Sequence, residues 1–396
     1  TSTNIILLDE VMQFTDKITA VTAGNVQSAI QLTVIKITED TTNAPSLDNR
    51  QGFGAGLENI GDLDGDGVID LAVGATKADK AWSSNWSATS STPHGAVFIM
   101  FMKSDGSIKS TVTIDKDTTN GPGSDAKNGY GSEIANLGDL DGDGVVDIAV
   151  GDRGYNDESS GAVYIHYLNA NGSVKSTVTI DKDTANGPNI GVGDRYGSDI
   201  ANMGDLDGDG VVDIAVGADK QDSAKGEVYI HFLNVDGSVK STATIDKDAT
   251  NGPSLSEGDH YGADIANMGD LDGDGVNDIA VGASLEGYSM DTDGISGSDY
   301  EMAKGGVYIL NMKTDGTVKT SYRINEDIPN GPELWAVNWG SSGYNTGQFG
   351  SSLAVAKINA GYTTELIVGA PSDGTVGTKE GAIWTILYNG AKDYPV

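Results

Sequence analysis

Asp62-Leu63-Asp64-Gly65-Asp66-Gly67-Val68-Ile69-Asp70 packs four carboxylates and two glycines into nine residues. The same pattern returns at Asp139–Asp147, Asp205–Asp213 and Asp270–Asp278, at offsets of 77, 66 and 65 residues. A fixed internal period means one structural unit stacked several times. Each copy follows an aromatic-Gly pair: Phe53-Gly54, Tyr130-Gly131, Tyr196-Gly197 and Tyr261-Gly262. Each leads into an alternating apolar run that ends in glycine, such as Asp147-Ile-Ala-Val-Gly151. A fifth copy, from Phe349-Gly350 to Leu366-Ile-Val-Gly-Ala370, keeps the frame without the aspartates.

Each unit reads as four short strands. In the second unit they cover residues 132–137 (A), 147–150 (B), 162–168 (C) and 174–180 (D), and strand C alternates Val163, Ile165 and Tyr167. Asp105-Gly106, Asn171-Gly172 and Asp236-Gly237 between C and D are hairpin chemistry. Four strands at a period near 65 residues describe a blade of an all-β propeller. The last unit supplies strands A to C before the chain stops, whereas residues 29–43 align with strand D and its exit at 107–120. The expected architecture is therefore five blades, the last closed by an N-terminal strand that covers an open edge. A six-bladed ring drawing diverged strands from residues 1–28 is the alternative. Residues 29–396 form the propeller and residues 1–28 an N-terminal extension. Leu7, Val11, Phe14, Ile18 and Val21 make one helical apolar stripe there, suited to tethering or assembly.

Composition narrows the function. Among 396 residues, 58 acids against 24 bases leave 58 − 24 = 34 net negative charges. Such a field repels nucleic-acid phosphates and anionic lipid headgroups, so neither is an expected partner. The longest apolar run, Ala96–Met102, is far short of the roughly 18 residues of a membrane span. The start lacks the charged-then-apolar pattern of a signal segment, so a secreted origin implies that Thr1 is a processed end. With no cysteine, disulfides, thiolate metal sites and cysteine nucleophiles are excluded, and four histidines leave little for imidazole catalysis.

The aspartate turn is the first half of a calcium loop of EF-hand type. Positions 1, 3, 5 and 9 supply carboxylates, position 7 a backbone carbonyl, and the glycines allow the sharp turn. The four sets are Asp62, Asp64, Asp66, Val68 and Asp70; Asp139, Asp141, Asp143, Val145 and Asp147; Asp205, Asp207, Asp209, Val211 and Asp213; and Asp270, Asp272, Asp274, Val276 and Asp278. An oxygen-only shell suits Ca2+ over zinc or copper, and carboxylates this dense repel one another without a cation. A polar turn that binds nothing is the bland alternative. In the fifth copy Lys357, Asn359, Gly361 and Glu365 take the aspartate positions. There a lysine ammonium stands in for the cation's charge, or the turn is merely degenerate.

Aromatic-Gly, the aspartate turn and the closing Val-Gly-Ala, taken over residues 50–390, resemble the FG-GAP repeats of integrin α-subunit propellers and of bacterial and archaeal surface proteins. Familiar members usually have seven blades, and five departs from that pattern. The resemblance implies calcium-supported adhesion or recognition outside the cell or at its surface, and it implies no reaction.

Blade geometry puts A–B turns and C–D hairpins on one face, B–C loops and D–A crossovers on the other. The long insertions, residues 76–94, 284–304 and 327–348, all fall on the second face. They carry Trp82, Trp86, Trp335 and Trp339, which form either a platform for a glycan or protein ligand or plugs over their own loops. Asp291-Thr-Asp293-Gly294 is a solvated turn or a weaker cation site. His166 and His231 share one strand C position and read as repeat packing; His94 and His260 stand alone. The expected protein is a secreted or cell-surface adhesion module. A structural subunit of an extracellular filament, self-associating through residues 1–28, is the second reading. A polysaccharide-active enzyme is the third and least favoured, because the negative field opposes polyanionic substrates.

Overall fold

A computed structural model describes residues 35–47, 52–76, 94–123, 129–154, 160–287, 304–329, 331–334, 348–356, 364–371 and 381–388. The first blade is β1 (Phe53–Asn59), β2 (Leu71–Ala75), β3 (Ala96–Met102) and β4 (Ile108–Ile114). The second is β5 (Tyr130–Gly138), β6 (Asp147–Asp152), β7 (Ala162–Leu168) and β8 (Val174–Ile180). The third is β9 (Tyr196–Gly204), β10 (Asp213–Ala218), β11 (Glu227–Leu233) and β12 (Val239–Ile245). The fourth is β13 (Tyr261–Gly269), β14 (Asp278–Ala283), β15 (Gly306–Met312) and β16 (Val318–Ile324). The fifth is β17 (Ser352–Ala356), β18 (Thr364–Ala370) and β19 (Ala382–Tyr388). Within each sheet the strands pair antiparallel in chain order, which is a five-bladed β-propeller. The place of a fourth strand beside β19 is the one expected for residues 29–34, which lie outside the described residues, as do residues 1–28.

Burial follows position in the blade. The third strands β3, β7, β11 and β15 are buried on both faces, because neighbouring blades sandwich them, whereas β19 of the fifth blade exposes Ile383 and Leu387. Outer strands such as β8 bury only their ends and expose Lys175 and Ser176 between. The core therefore lies between blades: Val228 and Ile230 of the third pack with Tyr261, Val281 and Tyr308 of the fourth. Burying one such aliphatic side chain contributes about 1.5–3 kcal/mol.

The joints between blades explain the glycines of the repeat. A Cβ on Gly74 would lie 1.9 Å from the Gly131 carbonyl oxygen of the next blade, and one on Gly282 would lie 1.9 Å from that of Gly350. Only a residue without a side chain lets the backbones approach so closely. An asparagine ladder runs along the same joints. Asn136 Nδ2 donates to the Asn59 carbonyl at 2.8 Å, Asn202 to Asn136 at 2.7 Å and Asn267 to Asn202 at 2.7 Å. Innermost strands pack in series, β1 on β5, β5 on β9, β9 on β13 and β13 on β17. Among the described residues β17 and β1 do not meet in this way, and Gly369 faces its own blade's Ser352 instead of a glycine of the next. What seats on the leading side of the first blade is residues 35–47, through Asn43, which donates to the Lys109 carbonyl at 3.0 Å.

Candidate metal turns

Each aspartate turn joins the innermost strand to the second, and the first aspartate organises it. Asp62 Oδ1 accepts from Asp66 N–H at 2.9 Å and Asp62 Oδ2 from Gly67 N–H at 2.7 Å. Asp139, Asp205 and Asp270 repeat the pair at 2.8–3.0 Å. These bonds fold the loop back so that later side chains turn toward the first. The N–H of Val68 donates to Asp66 Oδ1 at 3.0 Å, and Val145, Val211 and Val276 do the same to Asp143, Asp209 and Asp274.

The ninth position anchors the turn to its blade. Asp70 Oδ2 accepts from Leu63 N–H at 3.0 Å, and Asp70 Oδ1 from Met102 N–H, at the end of β3, at 2.9 Å. Asp147, Asp213 and Asp278 make the same two bonds to their own turns and third strands. All four are buried at 0–1% exposure. Desolvation pushes the carboxyls of Asp147, Asp213 and Asp278 up to about 6, and that of Asp70 upward as well. A buried carboxylate in that state is the group a nearby cation would hold ionised.

Not every predicted ligand converges. Oxygens of Asp62, Asp64 and Asp66 lie within 4.8 Å of one another in the first turn. In the other three the groups are Asp139, Asp141 and Asp147; Asp205, Asp207 and Asp213; and Asp270, Asp272 and Asp278. The remaining aspartate of those turns, Asp143, Asp209 or Asp274, stands outside the group. In all four turns a lysine that the motif does not contain bonds the second and third aspartates together. Lys109 Nζ lies 2.6 Å from Asp64 Oδ2 and 2.5 Å from Asp66 Oδ2. Lys175, Lys240 and Lys319 bridge Asp141 and Asp143, Asp207 and Asp209, and Asp272 and Asp274 at 2.5–2.7 Å. Hydrogen bonding to lysine pulls the carboxyls of Asp66, Asp143, Asp209 and Asp274 below their ordinary value and raises all four ammonium groups. The signal was in the sequence as Ser-Ile-Lys109, Ser-Val-Lys175, Ser-Val-Lys240 and Thr-Val-Lys319, once per unit.

The donor set fits a divalent cation. Asp64 Oδ1 and Asp272 Oδ1 are shielded from solvent with no hydrogen-bond partner. A buried carboxylate oxygen left unpaired is costly unless a positive charge faces it. The four acidic clusters are thus suited to hold hard cations through oxygen ligands. In the fifth unit Glu365 is buried like the ninth-position aspartates, while Lys357, Asn359 and Gly361 lie outside the described residues. So do Trp82, Trp86, Trp335 and Trp339, and the Asp291-Thr-Asp293-Gly294 turn.

Three of the four histidines pair with neighbouring side chains. His166 and His231 are wholly buried and bonded to Tyr130 and Tyr196 at 2.6 and 2.8 Å. His260 Nδ1 sits 2.8 Å from Asp219 Oδ2, with Arg195 3.5 Å from the same oxygen. No helix among the described residues is long and apolar enough to cross a membrane.

No family model matches the chain. Integrin alpha-11 of Homo sapiens is 37% identical over 158 residues, 39% of this chain and 12% of that relative. Integrin alpha-4 of Xenopus laevis is 32% identical over 196 residues, 49% and 17% of the two chains. Integrin alpha-3 of Mus musculus is 30% identical over 201 residues, 50% and 16%. The matched part is less than a fifth of each relative. Aromatic-Gly pair, aspartate turn and four-stranded blade, repeated in one chain with this similarity, make it an FG-GAP-type, integrin-α-like β-propeller.

Proposed function

We propose that the chain is an extracellular or cell-surface adhesion module, stabilised by Ca2+ in four turns, that recognises a glycan or protein without catalysing a reaction. The carrying observation is the turn that recurs four times with converging carboxylates, two of them holding unpartnered shielded oxygens. Asp62, Asp64, Asp66, the Val68 carbonyl and Asp70, with their counterparts in the next three blades, are the proposed ligands. Bound calcium would neutralise carboxylates that otherwise repel, and would tie strands A, B and C of a blade together through the ninth-position aspartate. The adhesion role is supported by similarity to integrin α-subunits, and the long loops opposite the turns are the proposed recognition surface.

Calcium bound only to the folded state adds RT ln(1 + [Ca2+]/Kd), about 2.7 kcal/mol per site at a hundredfold excess. Melting followed by circular dichroism should therefore rise strongly with calcium and fall on chelation, reversibly. Identical melting curves in saturating calcium and in excess chelator would remove calcium from the proposal.

A further inference from the structure

The four lysines at the turns are not part of the aspartate motif, yet each reaches it from the outer strand of its own blade. Lys109, Lys175, Lys240 and Lys319 lie at one register position of β4, β8, β12 and β16. Each ammonium takes one oxygen from both the second and the third aspartate, and each lysine side chain remains 40–41% exposed. The neighbouring pairs Lys116–Asp117, Lys182–Asp183 and Lys247–Asp248 are different, joining sequence neighbours through a single oxygen at the rim.

We propose that these lysines are resident counter-ions of the turns, which a divalent cation must displace, and that they set its affinity. This inference rests on the calcium reading. Without metal, the ammonium offsets repulsion between the two carboxylates and keeps the loop folded. A cation held by those aspartates would sit within a few ångströms of the ammonium, and two positive centres that close repel. The half-exposed lysine can swing into water, so displacement lowers affinity without blocking binding. Calcium release would then leave a clamped turn, and the propeller would survive wide swings in calcium concentration.

The test uses the full chain with Lys240→Met alone and with all four lysines changed to Met. In calorimetric titration with CaCl2, affinity at a substituted turn should rise about three- to tenfold, the scale of losing one or two exposed ion pairs. In chelator the quadruple variant should melt below wild type, whereas in saturating calcium the two should converge. Acetylation by an amine-reactive reagent, read by mass spectrometry, should label the four lysines slowly in chelator and quickly in calcium. Unchanged or weaker calcium affinity in Lys240→Met, or labelling indifferent to calcium, overturns the lysine role and leaves the calcium reading standing. A wild-type protein that takes up no calcium overturns both. Should the quadruple variant fail to fold, Lys240→Met and the labelling of wild type decide.

Discussion

Tyr130 donates its hydroxyl proton to His166 Nε2, His166 Nδ1–H faces Thr177 Oγ1 at 2.7 Å, and Thr177 in turn donates to the Asn120 carbonyl at 2.6 Å. The last bond fixes the direction of the chain, and with it the neutral imidazole tautomer. Burial agrees, holding His166 and His231 down at about 3. The third blade repeats the relay through Tyr196, His231, Thr242 and Asn186. The fourth breaks it: Leu310 stands at the histidine position, and the buried Tyr261 hydroxyl has no partner. The first blade avoids the problem by placing Phe53 and Met100 at both positions. Tyr130→Phe and Tyr196→Phe should thus each cost about 1–3 kcal/mol, because each leaves a buried imidazole acceptor unpaired. Tyr261→Phe should be neutral or stabilising by up to about 1 kcal/mol. Urea midpoints at fixed calcium measure all three, and equal losses would refute the relay. The shared position of His166 and His231 was legible in the sequence. The tyrosine partner was not, because it sits 36 and 35 residues away in the chain.

At the scale of elements, alternation and turn chemistry marked strands B, C and D closely, and the inner strand less so. β5 begins at Tyr130 rather than at residue 132, because its ladder with β6 shifts between Tyr130 and Glu133 and interrupts the alternation. The turn lysines stayed hidden for a similar reason: 31–47 residues separate them from their aspartates, and only the folded blade brings the outer strand beside the turn. The expected closing strand is informative where it is described. Asn43 accepts from Thr111 at 2.8 Å just as Asn120 accepts from Thr177, and the Ile35 side chain abuts Gly106 as Val178 abuts Gly237. Residues 35–43 therefore occupy, against the first blade, the place of a strand D exit. Among the described residues β17 and β1 do not pack as the other inner strands do, which makes this outer segment the candidate link between the last and first blades. Deleting residues 1–28 should leave cooperative folding intact, whereas deleting residues 1–43 should expose two sheet edges and cause aggregation or unfolding. Equal behaviour of the two truncations in light scattering and thermal melting would show that the segment does not join the blades.

For the whole molecule, the antiparallel blade separates two faces. The aspartate turns connect first to second strands at one end of the first four sheets, and the second-to-third connections leave from the other. Of the 58 acidic residues, sixteen are the aspartates of the four turns, so the face that carries the turns is where cation binding would change the field most. In the sequence Trp82 and Trp86 fall between β2 and β3, and Trp335 and Trp339 between β16 and β17; the proposed recognition loops are these connections. Loop length is legible in the sequence because it is counted along the chain, and antiparallel strand order decides which end each connection leaves; what the long loops themselves do is not legible from either. Replacing the four tryptophans by Ala should weaken ligand binding and leave calcium-dependent melting nearly unchanged. Aromatic anchors that carry an interface cost more than about 2 kcal/mol on truncation, a loss of at least tenfold in affinity. Binding to a glycan array and to candidate protein ligands, beside calcium titrations of the same variant, separates the outcomes. Preserved binding with new protease cleavage in residues 76–94 or 327–348 would make the tryptophans plugs over their own loops. Loss of calcium affinity together with binding would mean that the two faces are coupled, and the recognition surface would then have to include the turns.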